Sequence, residues 1–327
     1  MEICRICNNA NDNKTFIVPE MMFGFRDEFE YLECGQCGCV QLLEIPEDLS
    51  KYYPDDYYSF RRPDTLHPGT LSPLEAFLTR TRSAYKLGGK KLPGMLIPKI
   101  YRASRNFRWE WFRERNVTPE SAILDVGCGT GNILISMHNH GFSNLSGIDP
   151  YIKEDIQYKN IIICKIMLKQ LVNQYDFIML HHSFEHMADP LDVFRELHRL
   201  LKPGRYVLMR IPVASSYAWR KYNVNWVQLD APRHLFLHTI KSIQILADKT
   251  GFQVADIQFD SNEFQFWGSE QYAMKIPLRD GRSYAENPNN AIFSEEQIRS
   301  FKEKASMLNE SHDGDQACFF LYKTDTY

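Results

Sequence analysis

The sequence lacks the features that mark membrane and secreted proteins. No apolar run in the 327 residues approaches the ~18 residues that span a bilayer. The N-terminus, MEICRICNNA, has no basic start followed by an apolar core, so it does not have the pattern of a signal peptide. There is no internal repeat either, and the formal net charge is only −3. These absences predict a globular cytoplasmic protein without a transmembrane segment.

Charge is nearly balanced overall but unevenly distributed. Residues 61–115 contain thirteen Lys/Arg and four Asp/Glu, a local balance of +9 that leaves −12 for the rest of the chain. A basic segment in an acidic chain suggests contact with an anionic group, such as a phosphate, a nucleic acid or a membrane surface. A solvated helical face explains the same charges without any partner. The sequence leaves both explanations open.

Cysteine is not scarce, and four of the eight cysteines form two C-x2-C pairs, CRIC and CGQC: Cys4, Cys7, Cys34 and Cys37. Each tight turn points two thiolates at one ion, so the pattern predicts a tetrahedral zinc site. Four thiolates leave no open coordination position, so this zinc would hold structure rather than catalyse. Disulfides are the alternative, which a reducing cytoplasm disfavours, and Cys39 is close enough to compete as a ligand.

Glycine is concentrated where an apolar strand ends. The segment AILDVGCGTGN runs from a predicted strand into a turn that contains Gly127, Gly129 and Gly131. Such a turn lets the backbone approach a ligand, and Asp149, after the next predicted strand, can bind ribose hydroxyls. The turn lacks the sixth-position glycine of the dinucleotide fingerprint, and Asp125 would repel a pyrophosphate. These residues favour S-adenosylmethionine, which carries an ammonium and a sulfonium, over NAD.

Strand and helix patterns divide the chain into three parts. We predict a zinc-binding module at residues 1–45, a basic and partly helical connecting segment at 46–118, and a cofactor-binding domain at 119–327. Alternating strands and helices in the last part predict a mostly parallel sheet covered on both faces. The predicted strands are AILDV, LSGI, IIIC, YDFIML, RYVLMRIPV, GFQVADIQF and ACFFLYK, and the predicted helices are LEAFLTRTRSAYKL, IPKIYRASRNFRWEWFRER and DPLDVFRELHRLLKPG.

Four motifs, ILDVGCGTGN, GIDP, YDFIMLHHSFEHMADP and LLKPG, resemble in order and spacing those of class I S-adenosylmethionine-dependent methyltransferases. The resemblance covers about residues 119 to 260. It implies an α/β fold with a Rossmann-like, seven-stranded methyltransferase sheet, to which the small N-terminal zinc-binding module is added. It also implies a set of cofactor-binding residues: Asp125, Gly127, Cys128, Gly129, Gly131, Asp149, Pro150, Ile166, Met167 and His181.

A cysteine-knuckle module ahead of such a domain, together with the segment LDAPRHLFLHT, resembles methyltransferases that modify bacterial surface polysaccharides and sugars. The resemblance implies methyl transfer to the hydroxyl of a nucleotide- or lipid-linked sugar. Sugar C-methyltransferases with a zinc domain are also similar, although this chain lacks room for their extra C-terminal domain. An RNA methyltransferase that grips RNA through the zinc module and the basic segment is a further alternative, as is a non-catalytic cofactor-binding protein. Nucleic acid is less favoured, because no Asn-Pro-Pro-Tyr type motif for base amino groups is present.

The segment HHSFEHMADP places His182, Glu185 and His186 between a predicted strand and a predicted helix. Ubiquinone-pathway O-methyltransferases have a similar E-x-x-E-H segment that holds a divalent ion, but His182 stands here in place of the first carboxylate and is a poor ligand for magnesium. We predict that His182 is the general base for a hydroxyl proton, because the pKa of histidine lies near neutrality. Glu185 and His186 are predicted to support it. A catalytic metal and a purely structural loop remain alternatives.

Two further segments are candidates for contact with the acceptor. In DAPRHLFLHT, Arg233 and His234 are predicted to face it, unless Asp230 pairs with Arg233 and merely fixes the loop. The stretch KYYPDDYYSF contains tyrosines that would either close over the cofactor or sugar, or pack between the two modules. These tyrosines are Tyr52, Tyr53, Tyr57 and Tyr58.

Overall fold

The computed structural model describes residues 2–54, 72–88, 107–289 and 292–324. Twelve strands lie in these residues: β1 (Lys14–Pro19), β2 (Glu28–Glu33), β3 (Val40–Leu42), β4 (Ile123–Val126), β5 (Leu145–Ile148), β6 (Ile156–Tyr158), β7 (Ile161–Cys164), β8 (Tyr175–His181), β9 (Leu201–Pro212), β10 (Phe236–Leu237), β11 (Phe252–Phe259) and β12 (Gln316–Lys323).

The same described ranges contain eight α-helices: α1 (Pro73–Lys86), α2 (Trp109–Arg113), α3 (Asn132–Asn139), α4 (Pro190–Leu200), α5 (Tyr217–Tyr222), α6 (Ile240–Thr250), α7 (Phe264–Ala273) and α8 (Glu295–Glu310). None of them combines the length and the apolar character needed to cross a bilayer.

Eight strands form one sheet in the order β11-β12-β9-β8-β4-β5-β7-β6. At its centre β4 pairs in parallel with both β5 and β8, and β5 pairs in parallel with β7. The central strands are apolar, as in sheets covered on both faces, and β4 is buried at all four positions. The seven predicted strands and the α/β methyltransferase fold are confirmed. The eighth strand, β6, is a short antiparallel edge strand on β7, whose half-exposed sequence IQY carries no recognisable strand pattern.

A second sheet, in the order β1-β2-β3-β10, belongs to the cysteine-rich N-terminal region. β1 and β2 form an antiparallel hairpin, and β3 pairs antiparallel with β2. In the segment EFEYLECGQCGCVQLLEI, β2 and β3 lie on either side of the second cysteine pair. β10 adds only Phe236 and Leu237 to the edge of β3. β10 belongs to this sheet through pairing between segments that are far apart in the chain, and no local sequence pattern indicates such pairing.

The predicted helices are present where the structure describes them, but α4 ends at Leu200 and the predicted last turn, LKPG, belongs to β9. α1 begins with a capping box, in which the side chain of Ser72 accepts the N–H of Glu75 and that of Glu75 accepts the N–H of Ser72. Asp189 caps α4, because its Oδ1 accepts the N–H of Asp192 at 3.1 Å. Most of the helix predicted for IPKIYRASRNFRWEWFRER, and much of the basic segment 61–115, lie outside the described residues.

Contacts along the chain define two compact units. Unit 1 combines Met1–Pro54, His182–Arg195 and Met209–Leu321, and unit 2 combines Asp55–His181, Glu196–Leu208 and Tyr322–Tyr327. In unit 2, the ring of Phe112 packs against those of Phe142 and Phe177, with centroids 5.3 and 5.6 Å apart. In unit 1, the fully buried Trp226 donates its indole N–H to Asp315 at 3.0 Å. The division of the chain at residues 45 and 118 stays a prediction.

Candidate functional site

The glycine turn follows β4 and leads into α3. Gly127, Gly129 and Gly131 have φ angles of +72°, +53° and +85°, in the left-handed region that favours glycine. Gly131 is also crowded, because a Cβ atom there would lie 2.3 Å from Cδ1 of Ile163. Gly131 caps α3 without a side-chain hydrogen bond, so the first N–H groups of α3 can face an anionic ligand group. The backbone angles favour glycine at all three positions, and at Gly131 the side chain of Ile163 would have to move to admit a Cβ atom.

Two carboxyl groups flank the turn. Asp149 accepts the N–H of Gly129 through Oδ2 and the N–H of Tyr151 through Oδ1, both at 2.9 Å. Asp125, in β4, is only 2% exposed. Burial, and then the negative charge of Asp149, raise the pKa of Asp125 to about 8. A buried acid beside a second acid favours a cation, so the turn fits the positively charged methionine end of S-adenosylmethionine.

The remaining predicted cofactor residues lie in unit 2, at or just after the carboxyl ends of β4, β5, β7 and β8: Cys128, Pro150, Ile166, Met167 and His181. Met167 is 49% exposed. The ring of His181 stacks on that of Trp111, with centroids 5.9 Å apart. Trp111 precedes His181 by seventy positions, which is why the sequence gives no sign of this contact. Contact of these residues with a cofactor stays a prediction.

The four cysteines of the two C-x2-C pairs lie together in unit 1, with all four Sγ atoms within 4.8 Å of one another. Sγ of Cys4 is 3.6 Å from that of Cys37, and Sγ of Cys7 is 3.5 Å from that of Cys34. Four sulfurs bound at about 2.3 Å to a tetrahedral zinc are about 3.8 Å apart. None of the eight cysteines forms a disulfide. The donor set and its geometry therefore fit a zinc ion.

Hydrogen-bond donors surround the sulfur of Cys34. The backbone N–H groups of Gln36 and Cys37 each donate to it at 3.4 Å, and Nδ2 of Asn9 does so at 3.7 Å. Such donors stabilise the thiolate that a metal needs. Cys39 is fully buried and is not among the four grouped sulfurs. The structure thus separates Cys39 from the predicted ligands.

The loop after β8 contains a buried carboxylate, that of Glu185. It has no exposed surface, and neither of its oxygens has a hydrogen-bond partner among the described residues. The nearest nitrogens to its Oε1 are Nδ1 of His182, at 3.4 Å, and Nε2 of His234, at 4.0 Å. Burial by itself raises the pKa of Glu185, but the three nearby imidazoles outweigh burial and lower it to about 2. Glu185 is an ionised group shielded from water.

Glu185, His186 and His234, which we call the Glu185 cluster, bring three ligand-type atoms within 4.8 Å of one another. Nδ1 of His186 is 2.8 Å from the backbone carbonyl of Arg233, and Nδ1 of His234 is 2.7 Å from that of Gln228. A carbonyl only accepts, so each Nδ1 carries a proton. Burial, and next the charge of His186, lower the pKa of His234 to about 4, so this ring is neutral at pH 7.

His182 lies beside the cluster, but both of its ring nitrogens have close neighbours. Nη1 of Arg210 is 3.1 Å from Nε2 of His182, and Nε of Arg210 donates to Oδ2 of Asp260 at 2.8 Å. A guanidinium only donates, so Nε2 of His182 is the acceptor and its Nδ1 carries the proton towards Glu185. Arg210 lies in β9 and Asp260 follows β11. Reasoning from the sequence missed both, because nothing in the local pattern connects them with the loop.

Arg233 pairs with Asp230 and fixes the loop, which was the alternative to contact with the acceptor. It is fully buried, and its Nη2 donates to Oδ1 of Asp230 at 2.6 Å and to Oε1 of Glu20 at 3.1 Å. The guanidinium therefore fixes the loop between two carboxylates and does not face an acceptor. The ring of His234, the next residue, instead lies beside Glu185 and His186 in the Glu185 cluster.

The tyrosine-rich stretch is described only at its start. Tyr52 is buried, and the hydroxyl of Tyr53 lies 3.2 Å from Nδ1 of His186. Tyr57 and Tyr58 lie outside the described residues. Tyr53 thus joins the N-terminal region to the Glu185 cluster within unit 1.

Residues 98–257 match the family model described as a methyltransferase domain. The matched range contains the glycine turn, Asp149 and all three members of the Glu185 cluster. The four cysteines precede it.

Several curated proteins are similar over part of their length. The ubiquinone biosynthesis O-methyltransferase of Pseudomonas aeruginosa (strain UCBPP-PA14) is 30% identical over 115 residues, which are 31% of this chain and 49% of that protein. That of Bordetella avium (strain 197N) is 27% identical over 170 residues, 46% of this chain and 68% of that protein. EEF1A lysine methyltransferase 2 of Danio rerio is 38% identical over 69 residues, 21% of this chain and 29% of that protein. The chain spans about half the length of the first of these relatives.

Solved structures with a similar course of the chain include the cyclopropane synthase MmaA2 from Mycobacterium tuberculosis, at a TM-score of 0.43 and 17% identity over 77% of this chain and 95% of that one. An S-adenosylmethionine-dependent methyltransferase from Mesorhizobium loti has a TM-score of 0.41 and 16% identity over 65% of this chain and 96% of that one. The strand order is that of the α/β methyltransferase fold, and residues 98–257 within it match the family model of a methyltransferase domain.

Proposed function

We propose that this protein transfers a methyl group from S-adenosylmethionine to the hydroxyl of a sugar that is carried on a nucleotide or a lipid. Relatives named O-methyltransferases support an oxygen acceptor. The resemblance of the cysteine knuckles and of LDAPRHLFLHT to polysaccharide-modifying methyltransferases supports a sugar. The observation that carries the proposal is the Glu185 cluster, in which the buried carboxylate of Glu185 and the ring of His186, both in the loop that follows β8, meet the ring of His234. Of its members only His186 is partly exposed, so its imidazole is the group placed to take a hydroxyl proton, with Glu185 and His234 beside it.

The glycine turn and its two aspartates are proposed to bind the cofactor. The turn and the start of α3 would receive the methionine end, where Asp125 balances positive charge. Asp149 would bind the ribose hydroxyls. Each of its oxygens already accepts one backbone N–H, which fixes the carboxylate and leaves lone pairs for the ribose.

Methyl transfer to an alcohol is a single displacement. A carbon–oxygen bond forms as the carbon–sulfur bond breaks, S-adenosylhomocysteine leaves and the hydroxyl loses its proton. We assign removal of that proton to the Glu185 cluster, and a general base typically contributes about 10²–10⁴-fold to the rate. His182, the base predicted from the sequence, directs its Nε2 lone pair at Arg210. We therefore propose that His182 orients Glu185 and that the proton leaves at the cluster itself.

We also propose that Cys4, Cys7, Cys34 and Cys37 bind one structural zinc. Four thiolates close its coordination sphere, so the ion would fix the two knuckles and the strands β1 to β3. The zinc ion would have no open coordination position for catalysis.

The experiment that tests the proposed function uses mass spectrometry of both products. The protein is incubated with S-adenosylmethionine and a panel of nucleotide sugars, with RNA as a parallel acceptor and Asp125→Asn as the control enzyme. We expect S-adenosylhomocysteine to form only when a sugar is present, together with a sugar heavier by one methylene. Methylated RNA without a methylated sugar would replace the proposal by its RNA alternative, and a new carbon–carbon bond in the product would replace O-methylation by C-methylation.

A further inference from the structure

Helix α1 presents apolar side chains to solvent and polar ones to the rest of unit 2. Leu74 is 66% exposed, Phe77 is 62% exposed and Tyr85 is 37% exposed. The buried residues of the helix are instead Thr79 and Ser83. Successive residues of a helix are rotated by about 100°, so Leu74 and Tyr85 lie on one face and Ser83 lies on the opposite one. This is the reverse of the usual arrangement, in which the apolar face of a surface helix is buried.

The buried face of α1 is fixed by contacts with the end of α3. Oγ of Ser83 donates to the carbonyl of Thr79 at 2.6 Å and lies 3.3 Å from Nδ1 of His140. Arg80 lies over the turn that follows α3, because a Cβ atom added at Gly141 would be 3.4 Å from its Cγ. These contacts set the rotation of the helix about its axis, and the apolar face points outward as a consequence.

Basic residues lie on both sides of this apolar face. Arg80 and Lys86 are exposed, and they lie about 120° from the middle of the apolar face in opposite directions around the helix. Lys159, in the turn between β6 and β7, is exposed as well. Burial, and then the charges of Lys159 and Arg80, lower the pKa of His138, so both cations lie near the same ring. The helix itself belongs to residues 61–115, whose charge balance is +9.

The chemistry of this face suits a membrane better than a second copy of the chain or a nucleic acid. A face about 16 Å long and about 10 Å wide covers about 160 Å², against about 800 Å² per partner in a stable protein interface. Nucleic acid matches the cations, but Leu74 offers it neither an aromatic surface for stacking nor a hydrogen bond. An anionic bilayer surface matches both the apolar residues and the cations that flank them.

We propose that the outward face of α1 binds the surface of an anionic lipid bilayer. Leu74, Phe77 and Tyr85 enter the layer just below the headgroups, where the apolar side chains of interfacial helices lie. Arg80 and Lys86 reach the headgroup phosphates through their long side chains. The helix has 14 residues, and about 20 are needed to cross a bilayer, so it lies along the surface.

The membrane-binding face rests on the proposed function and deepens it. α1 belongs to unit 2, which also contains the glycine turn. An enzyme held at a bilayer meets acceptors that are confined to the same bilayer at a high effective concentration. The inference therefore selects a lipid rather than a nucleotide as the carrier of the sugar.

The test is flotation of the complete chain with lipid vesicles. Vesicles of phosphatidylcholine with about 30% phosphatidylglycerol are compared with vesicles of phosphatidylcholine alone. We expect binding to the anionic vesicles at about 0.1 M salt, and binding weaker by about tenfold or more either to the neutral vesicles or at about 1 M salt. Hydrogen exchange of the bound protein, measured by mass spectrometry, should slow in peptides from residues 72–88.

Substitutions on α1 separate the apolar contribution from the electrostatic one. Phe77→Gln should weaken binding to the anionic vesicles by about tenfold or more, because a large apolar side chain no longer leaves water. Arg80→Gln and Lys86→Gln should each weaken it by about fivefold, as expected of one basic residue near an anionic surface. Met307→Gln and Arg299→Gln are the matched controls, since both residues are exposed on helix α8 of unit 1. Both control variants should bind as the wild type does.

Calorimetric binding of S-adenosylhomocysteine shows that each variant is folded. Folded wild-type protein that does not bind anionic vesicles would overturn the membrane-binding face, and so would vesicle binding that Phe77→Gln and Arg80→Gln leave unchanged. A dimer, or binding of an RNA oligonucleotide, that these variants abolish in the absence of vesicle binding would assign α1 to that partner instead. Each of these results leaves methyl transfer to a nucleotide-linked sugar standing. Conversely, vesicle binding that the α1 variants lose supports the face even if no offered sugar is methylated, an outcome that contradicts only the proposed acceptor.

Discussion

At the scale of single residues, Asp125 is expected to make cofactor binding depend on pH. Its pKa of about 8 is far above the ordinary value of 3.8, so without a cofactor the carboxyl is protonated at pH 7. A positively charged ligand favours the ionised form, so binding at pH 7 should release about one proton. The affinity for S-adenosylhomocysteine, which has an ammonium group, should therefore rise between about pH 6 and about pH 8 and then level off. Calorimetry in two buffers of different ionisation enthalpy measures the released proton.

Asp125→Asn is the matched control, because it keeps the shape of the side chain and removes its titration. The variant should bind S-adenosylhomocysteine about 10- to 100-fold more weakly, which corresponds to one charged hydrogen bond, and should release no proton. The raised pKa also means that stability without cofactor declines as pH rises from about 4 to about 8, because only the folded state keeps the proton there. Proton release that persists in the variant would exclude Asp125 as its source.

The histidines show how far residue-level reasoning reaches. The spacing in HHSFEHMADP predicts that His182, Glu185 and His186 share one loop, and they do. It does not predict which ring nitrogen carries a lone pair, because that depends on Arg210 and on distant backbone carbonyls. His234 is recognisable as a candidate only as part of a family-like segment. Its place beside Glu185 follows from the fold.

At the scale of elements, the two knuckles and the strands between them are proposed to depend on one ion. β1 to β3 are short, and β1 and β2 are exposed or half-exposed at most positions, so the three strands bury too little apolar surface to be stable alone. Cys34→Ser should lower the zinc that survives dialysis against a chelator from about one per chain to well below one. It should also lower the unfolding temperature by about 5 °C or more. Elemental analysis and circular dichroism measure the two effects.

Cys39→Ser is the matched control for this zinc site. Cys39 is as buried as its neighbours and lies two positions from Cys37, yet it is outside the group of four sulfurs. The variant should keep about one zinc per chain, although a buried hydroxyl costs about 1 kcal/mol or more of stability. Loss of zinc from Cys39→Ser with retention in Cys34→Ser would reverse the ligand assignment.

Elements with a strong local pattern were predictable, and those that depend on distant pairing were not. β4 is buried throughout and β8 at most positions, so both appear as apolar runs in the sequence. Helix α4 could be predicted from Asp189, which caps it, and from Pro190 in its first turn. β6 and β10 have three and two residues, too few for any periodicity. β6 is a strand only because it pairs with the edge strand β7, and β10 only because it pairs with β3.

At the scale of the whole molecule, neighbours in space are often far apart in the chain. Within unit 1, Oγ1 of Thr239 donates to the carbonyl of Cys37 at 2.6 Å, and Nζ of Lys249 donates to that of Ile6 at 2.8 Å. These contacts join α6 to both knuckles across about 200 residues. A division of the chain into consecutive segments does not describe such a grouping, because local composition does not indicate which distant residues are in contact. The stability of the knuckles is thus coupled to residues near position 240.

Ligands of the two units should therefore protect different parts of the chain from hydrogen exchange. S-adenosylhomocysteine at one hundred times its Kd stabilises the state that binds it by about 2.7 kcal/mol, which slows exchange through opening of that site about 100-fold. We expect this slowing in peptides from residues 123–131 and 145–167, measured by mass spectrometry, with NAD as a control that protects neither. Removal of thiolate-bound zinc should instead speed exchange in residues 2–42 and 236–250. If S-adenosylhomocysteine protected the latter two ranges as strongly as the glycine turn, the assignment of the cofactor to unit 2 alone would be wrong.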